Sequence, residues 1–172
     1  MVFDFKEAFP KTQGVTNGLV TDPSVLLLNG KFNLWFYCAA QNSWGKYIDG
    51  GICHATSTDG IKWEHSGSLP SLLNDKAVGV IAQQPTVIYN ADKQIFEMWV
   101  VIDDPKYISY GIAGLAVGVY YHANSANGLD WVYTNKSDYD FTWNRESASE
   151  NKGLGNGPVV IYSNKTYYMF YS

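Results

Sequence analysis

Charge and cysteine are both scarce in this chain, and no long apolar run appears. Only 16% of the 172 residues are charged, with 12 Lys and Arg against 16 Asp and Glu, for a net charge of −4. No basic stretch interrupts that balance, so there is no electrostatic footprint for nucleic acid or anionic lipid. Nothing approaches a membrane-spanning stretch. The N-terminus lacks the basic start, apolar run and small-residue cleavage site of a signal peptide, and localisation is left open. Capped helical periodicity is missing too. The two cysteines are Cys38 and Cys53. Their neighbourhood predicts two small buried thiols on adjacent strands in preference to a disulfide.

What is abundant is aromatic and β-branched. Aromatic residues make up 16% of the chain and apolar residues 46%, enough for a real core. The segment Thr21-Asp22-Pro23-Ser24-Val25-Leu26-Leu27-Leu28-Asn29-Gly30 reads as a short strand entered through Asp-Pro and left through a tight Asn-Gly turn. The unit returns at Gln84-Pro85-Thr86-Val87-Ile88-Tyr89-Asn90 and at Gly157-Pro158-Val159-Val160-Ile161-Tyr162-Ser163-Asn164. Each copy runs into an aromatic strand, at Leu34–Tyr37, Met98–Val101 and Met169–Ser172.

A second marker follows the first two copies. His54-Ala55-Thr56-Ser57-Thr58-Asp59-Gly60-Ile61-Lys62-Trp63 matches His122-Ala123-Asn124-Ser125-Ala126-Asn127-Gly128-Leu129-Asp130-Trp131 position for position. Asp-Gly and Asn-Gly predict two-residue hairpins, with the Trp anchoring the outer strand and placed alike in both copies. His54 and His122 occupy equivalent strand positions and read as packing or hydrogen-bonding residues in preference to ligands. One unit is therefore four antiparallel strands, the mark of a β-propeller blade.

The expected architecture is all-β, a single partial propeller over residues 1–172. Blade one runs from about 22 to 66, blade two from about 84 to 134, and a half blade occupies 156–172. Residues 2–6 alternate like a strand and are a candidate outer strand. Two and a half blades leave sheet edges open. Either more chain follows, or copies associate into a homo-oligomer through those edges.

Innermost strands of a propeller run in the same direction, so the residues just before them converge on one mouth. Those residues are Asp22, Gln84 and Asn156. The combination of DPSV, NGKF-LWFY, ATSTDGIKW and NGPVVIYSNKTYYMFYS resembles the five-bladed β-propeller glycoside hydrolases, family 43 and its relatives in families 32, 68, 117 and 130, over about half of such a fold. The resemblance implies that Asp22 is the general base, or the nucleophile of retaining relatives. It sets Gln84 where the family has an Asp, and Asn156 where family 43 carries its general acid Glu. An amide cannot protonate a leaving oxygen, so the acid candidates become Glu146 and Glu150 on the preceding loop. Gln84 and Asn156, with Trp44 and Tyr107 as stacking rings, are the substrate-binding candidates; no metal or cofactor is expected. The implied function is a glycosidase-like propeller acting on or binding carbohydrate, a fragment of a longer glycosidase. The alternative is a non-catalytic carbohydrate-binding propeller or interaction module.

Overall fold

The structure, a computed structural model, describes residues 13–45, 47–69, 82–103, 118–134 and 157–170. The candidate strand at 2–6 lies outside them. Among the described residues, ten strands fall into three antiparallel sheets. The first sheet holds β1 (Asn17–Leu28), β2 (Lys31–Gln41), β3 (Tyr47–Ser57) and β4 (Glu64–Ser68), in that order. The second holds β5 (Ala82–Asn90), β6 (Ile95–Asp103), β7 (Gly118–Ser125) and β8 (Val132–Tyr133), again in chain order. The third pairs β9 (Val159–Ser163) with β10 (Thr166–Phe170). The first sheet begins earlier than the sequence pattern places it, because β1 pairs with β2 from Asn17↔Gln41 onward.

Strand β1 alternates as a half-covered strand should. Leu26 and Leu28 pack toward the second sheet, while Val25 and Leu27 are exposed. By contrast, β2 is buried continuously from Leu34 to Ala40. A strand covered on both faces needs an unbroken apolar run instead of alternation. Its two faces feed two cores. Trp35 joins Ile52, Val87, Phe96, Met98, Val100 and Trp131 between the first two sheets. Leu34, Phe36, Cys38, Ala40, Cys53 and Ala55 cluster on the other face with Val15, Val20 and Trp63.

The turns divide into two kinds. Asn29 and Gly30 both have positive φ, 52° and 75°. This is the primed geometry whose twist matches the flanking strands. The third sheet uses Asn164 and Lys165 in the same way, at 50° and 62°. The predicted two-residue hairpins at Asp59-Gly60 and Asn127-Gly128 are corrected: residues 58–63 and 126–131 form wider loops. In each pair only the glycine takes a positive φ. The carboxylate of Asp59 accepts the amides of Ile61 and Lys62 at 2.8 Å, and the Ser57 hydroxyl accepts that of Gly60 at 2.9 Å. Asn127 and Ser125 do the same for Leu129, Asp130 and Gly128. Side chains that satisfy loop amides let the backbone open beyond the minimal turn.

Both anchoring tryptophans lie inward, Trp131 buried and Trp63 half-buried. Trp131 and Trp35 both donate to the Gly128 carbonyl, at 3.0 and 2.8 Å. The loop of one blade is thus fastened to the second strand of the other.

The two cysteines also depart from expectation. They form a disulfide, with Cα atoms 5.9 Å apart. Phe36 opposes Cys53 and Cys38 opposes Gly51, so the thiols sit diagonally on one face, next to a position without a side chain. That separation suits a bridge.

Candidate functional site

The starts of β1 and β5 share one irregularity. Thr21 pairs with Tyr37 and Ser24 with Trp35, so Asp22 and Pro23 together oppose Phe36. Gln83 pairs with Val101 and Thr86 with Trp99, so Gln84 and Pro85 together oppose Val100. Both are β-bulges, which bend a strand and re-aim a side chain. The residue before each proline is left-handed, with φ 54° at Asp22 and 53° at Gln84. Proline ordinarily pushes its predecessor into extended backbone. A left-handed residue there costs about 1–3 kcal/mol and persists only where its surroundings impose it.

Those surroundings are the neighbouring blades. The amide of Val87 donates to the Ser24 hydroxyl at 2.9 Å, and the Thr86 hydroxyl donates to the Pro158 carbonyl. The residue after the proline therefore ties each blade to the start of the next, and the three proline-bearing starts stand side by side. Gly157 is packed directly on Gln84. Asp22 and Gln84 are half-buried, and Asp22 accepts the Thr21 hydroxyl at 3.2 Å. A half-buried carboxylate on one strand start and a half-buried amide on the next can accept from and donate to hydroxyl groups, and the carboxylate can take a proton from a bound water. Among the described residues, no cluster of His, Cys, Asp and Glu is arranged to hold a metal ion.

Trp44 stands apart from Asp22 and Gln84. It is 90% exposed at the tip of the β2–β3 connection. Asn156, Tyr107, Glu146 and Glu150 lie outside the described residues.

The two histidines have scaffold geometry. His54 opposes Trp35 with ring centroids 5.2 Å apart, and His122 opposes Trp99 at 4.6 Å. Their Nδ1 atoms meet the Ser66 and Thr134 hydroxyls at 3.3 and 3.0 Å. Burial lowers both pKa values to about 4. Lys31 pushes His54 the same way, while for His122 a pull upward from Glu97 is opposed by Lys93.

A buried polar cluster escaped the sequence reading. Glu97 is 1% exposed, and its carboxylate accepts from Tyr167 at 2.6 Å, Asn90 at 2.9 Å and Lys93 at 3.1 Å. His122 Nε2 lies 3.7 Å away. Burial raises the carboxyl pKa, but the bonds from Tyr167, Asn90 and Lys93 outweigh it and hold it below the usual range. The available signal was a lone charge within the apolar run Ile95–Val101. The cluster sits where β5 ends and β6 begins, opposite the mouth, and clasps the second sheet to the third.

Four-stranded antiparallel sheets, ordered strand by strand and stacked face to face around aligned inner strands, are blades of a β-propeller. Solved glycoside hydrolases share this fold. The chain superimposes on a thermostable family-43 glycoside hydrolase with a TM-score of 0.58 at 16% identity, covering 92% of this chain and 43% of the other. A family 117 glycoside hydrolase of the marine bacterium Zobellia galactanivorans gives a TM-score of 0.63 at 17% identity, covering 91% and 48%. The family 32 β-fructofuranosidase of Bombyx mori gives a TM-score of 0.60 at 10% identity, covering 93% and 30%. The chain thus spans less than half the length of each, and has the fold of part of their propeller. No protein-family model matches the chain, and no curated protein does.

Proposed function

We propose that the chain is part of a glycosidase-type propeller that takes carbohydrate at the mouth where β1 and β5 begin. Asp22 is its basic carboxylate and Gln84 a hydroxyl-binding amide. The observation that carries this reading is the bulge repeated at both positions, each with a left-handed residue ahead of proline. Strain held twice at one place is characteristic of sites that present a side chain. In hydrolysis, Asp22 would draw a proton from the attacking water while an acid protonates the leaving oxygen. Gln84 cannot be that acid, and Asn156 cannot either. Glu146 and Glu150 are the proposed candidates, with Tyr107 as a stacking ring. The Cys38–Cys53 bridge favours an oxidising compartment.

A second reading has its own support. Gln84, in the bulge equivalent to that of Asp22, is an amide, which suits sugar binding without cleavage. Aryl arabinosides, xylosides and fructosides separate the two. General acid assistance is worth about 10²–10⁴-fold, so weak or no turnover is expected from this chain, together with sugar binding that Asp22→Asn diminishes. Robust turnover abolished by Asp22→Asn would establish the hydrolase, and Glu146→Gln and Glu150→Gln would then identify the acid. Failure to bind any of these sugars rejects both readings.

A further inference from the structure

Strand β1 continues past the mouth. Its first residues, Asn17 to Thr21, pair with β2 up to Gln41, and β2 pairs onward with β3 as far as Gln41↔Tyr47. The three strands stand as a wall on the side from which β1, β5 and β9 start. The wall ends in a structured turn. Asn42 accepts the Gly45 amide on its carbonyl at 2.9 Å and the Trp44 amide on its side-chain oxygen at 3.0 Å. Gly45, at φ 72°, closes the turn. Trp44 is held at the tip with its indole 90% exposed.

A tryptophan this exposed hides almost none of its apolar surface, yet its backbone is fixed by two hydrogen bonds. The chemistry around it is narrow. From Gln13 to Thr21 and from Phe32 to Gly45 there is no charged residue, the nearest in sequence beyond the tip being Lys46 and Asp49. Below Trp44 the polar groups are amides and a hydroxyl. Asn17 Nδ2 donates to Gln41 Oε1 at 3.4 Å, and the Thr16 amide donates to the Gln41 carbonyl at 2.9 Å. Among the described residues, a surface of amides beside a flat aromatic face suits a ligand with hydroxyl edges and C–H faces. Height decides the rest. Between Asn17 and Asp22 the strand covers roughly 17 Å at about 3.3 Å per residue. The two groups that flank a scissile glycosidic bond stand only about 5–10 Å apart. Trp44 therefore cannot touch the sugar that sits at Asp22.

We propose that Trp44 is a distal stacking site for a neutral oligosaccharide that reaches the Asp22 mouth along this wall, so that the ligand is a chain of several sugars and not a monosaccharide. This rests on the reading of Asp22 as the sugar-binding carboxylate. The test is calorimetric titration of the whole chain with neutral xylo-, arabino- and galacto-oligosaccharides of one to six units, with polygalacturonate as a charged control. Affinity rising with length for one neutral series is expected, with the longest members about tenfold weaker on Trp44→Ala and the shortest unchanged. Tryptophan emission should shift to the blue with long ligands and not with short ones, and Trp44→Ala should remove that shift. Short sugars binding as well as long ones, or Trp44→Ala weakening both equally, overturns the distal site while leaving the Asp22 reading intact. Binding that is strong for long sugars but insensitive to Asp22→Asn overturns the link between the two.

Discussion

A methyl group built on Gly157 would stand 2.6 Å from the Gln84 Cβ and 3.2 Å from its carbonyl oxygen. The glycine two residues before β9 therefore sets how closely the third inner strand approaches the second. Gly157 does not need a left-handed backbone, so the constraint is purely one of space. Gly157→Ala should cost about 1–3 kcal/mol, as overpacking does, and should displace the Gln84 amide. Urea denaturation measures the first effect. The side-chain amide resonances of Gln84 measure the second. Removing the obstacle with Gln84→Gly in the same chain should restore much of the lost stability. If Gly157→Ala is silent in both measurements, the close packing of the two starts is disproved.

The disulfide makes a second prediction. Cys38 and Cys53 are 15 residues apart in sequence. Closing a loop of that size restricts the unfolded chain by about 3 kcal/mol. Reduction should therefore lower unfolding stability by about 2–4 kcal/mol, and Cys38→Ala with Cys53→Ala should abolish the sensitivity to reductant. Equal denaturation midpoints with and without dithiothreitol would count against the bridge.

Much of this architecture was legible in the sequence because it is written locally. Asp22-Pro23, Gln84-Pro85 and Gly157-Pro158 mark three inner strands, and Asn29-Gly30 carries its turn geometry in its own two residues. The misread features depend on what lies across space. Asp59-Gly60 has the letters of a tight hairpin, but the Asp59 carboxylate turns back on Ile61 and Lys62 and holds the loop open. The cysteines bridge because the register sets Cys38 opposite Gly51. The left-handed backbone of Asp22 runs against the local rule for a residue before proline. Glu97 finds Tyr167 70 residues away, a pairing that no window of sequence contains.

That clasp and the buried histidines predict acid sensitivity. His54 and His122 titrate near 6.5 when unfolded and about 4 when folded. The folded rings bind fewer protons between those values, so stability rises with pH there and is lost as pH falls from 6.5 toward 4. Each ring contributes at most about 3 kcal/mol. The depressed carboxyl of Glu97 acts in the same direction at lower pH, its contribution present above the unfolded carboxylate range and lost as acid protonates it. Urea midpoints from pH 7.5 to 4.5 should decline steadily, and more shallowly in a His54→Gln, His122→Gln variant. Tyr167→Phe should cost about 1–3 kcal/mol at neutral pH by removing a bond to a buried carboxylate. A flat profile across that range would refute the role of the histidines.

The third sheet also presents an apolar face away from the second. Val159 opposes Phe170 and Ile161 opposes Tyr168, and all four are exposed, Phe170 by 58%. The opposite face of the same sheet shows what such a surface does within this chain. There Val160 is buried and Tyr167 packs on Trp99 with centroids 5.8 Å apart. At the other end of the chain, β1 exposes Val25 and Leu27 on the face turned away from the second sheet. Each blade covers the next by this kind of apolar contact, so the two uncovered faces are matched head to tail. A second copy that sets its β1 face on the β9–β10 face of the first would extend the stacking. Sedimentation should therefore show concentration-dependent self-association. Phe170→Lys should abolish it with little change in the far-ultraviolet spectrum, because the side chain it replaces is exposed. Val25→Lys, on the complementary face, should do the same, and mixing the two variants should restore one-to-one pairs through the faces each leaves intact. A chain that stays monomeric at high concentration, or associates equally well with Phe170→Lys, would show that these faces do not pair.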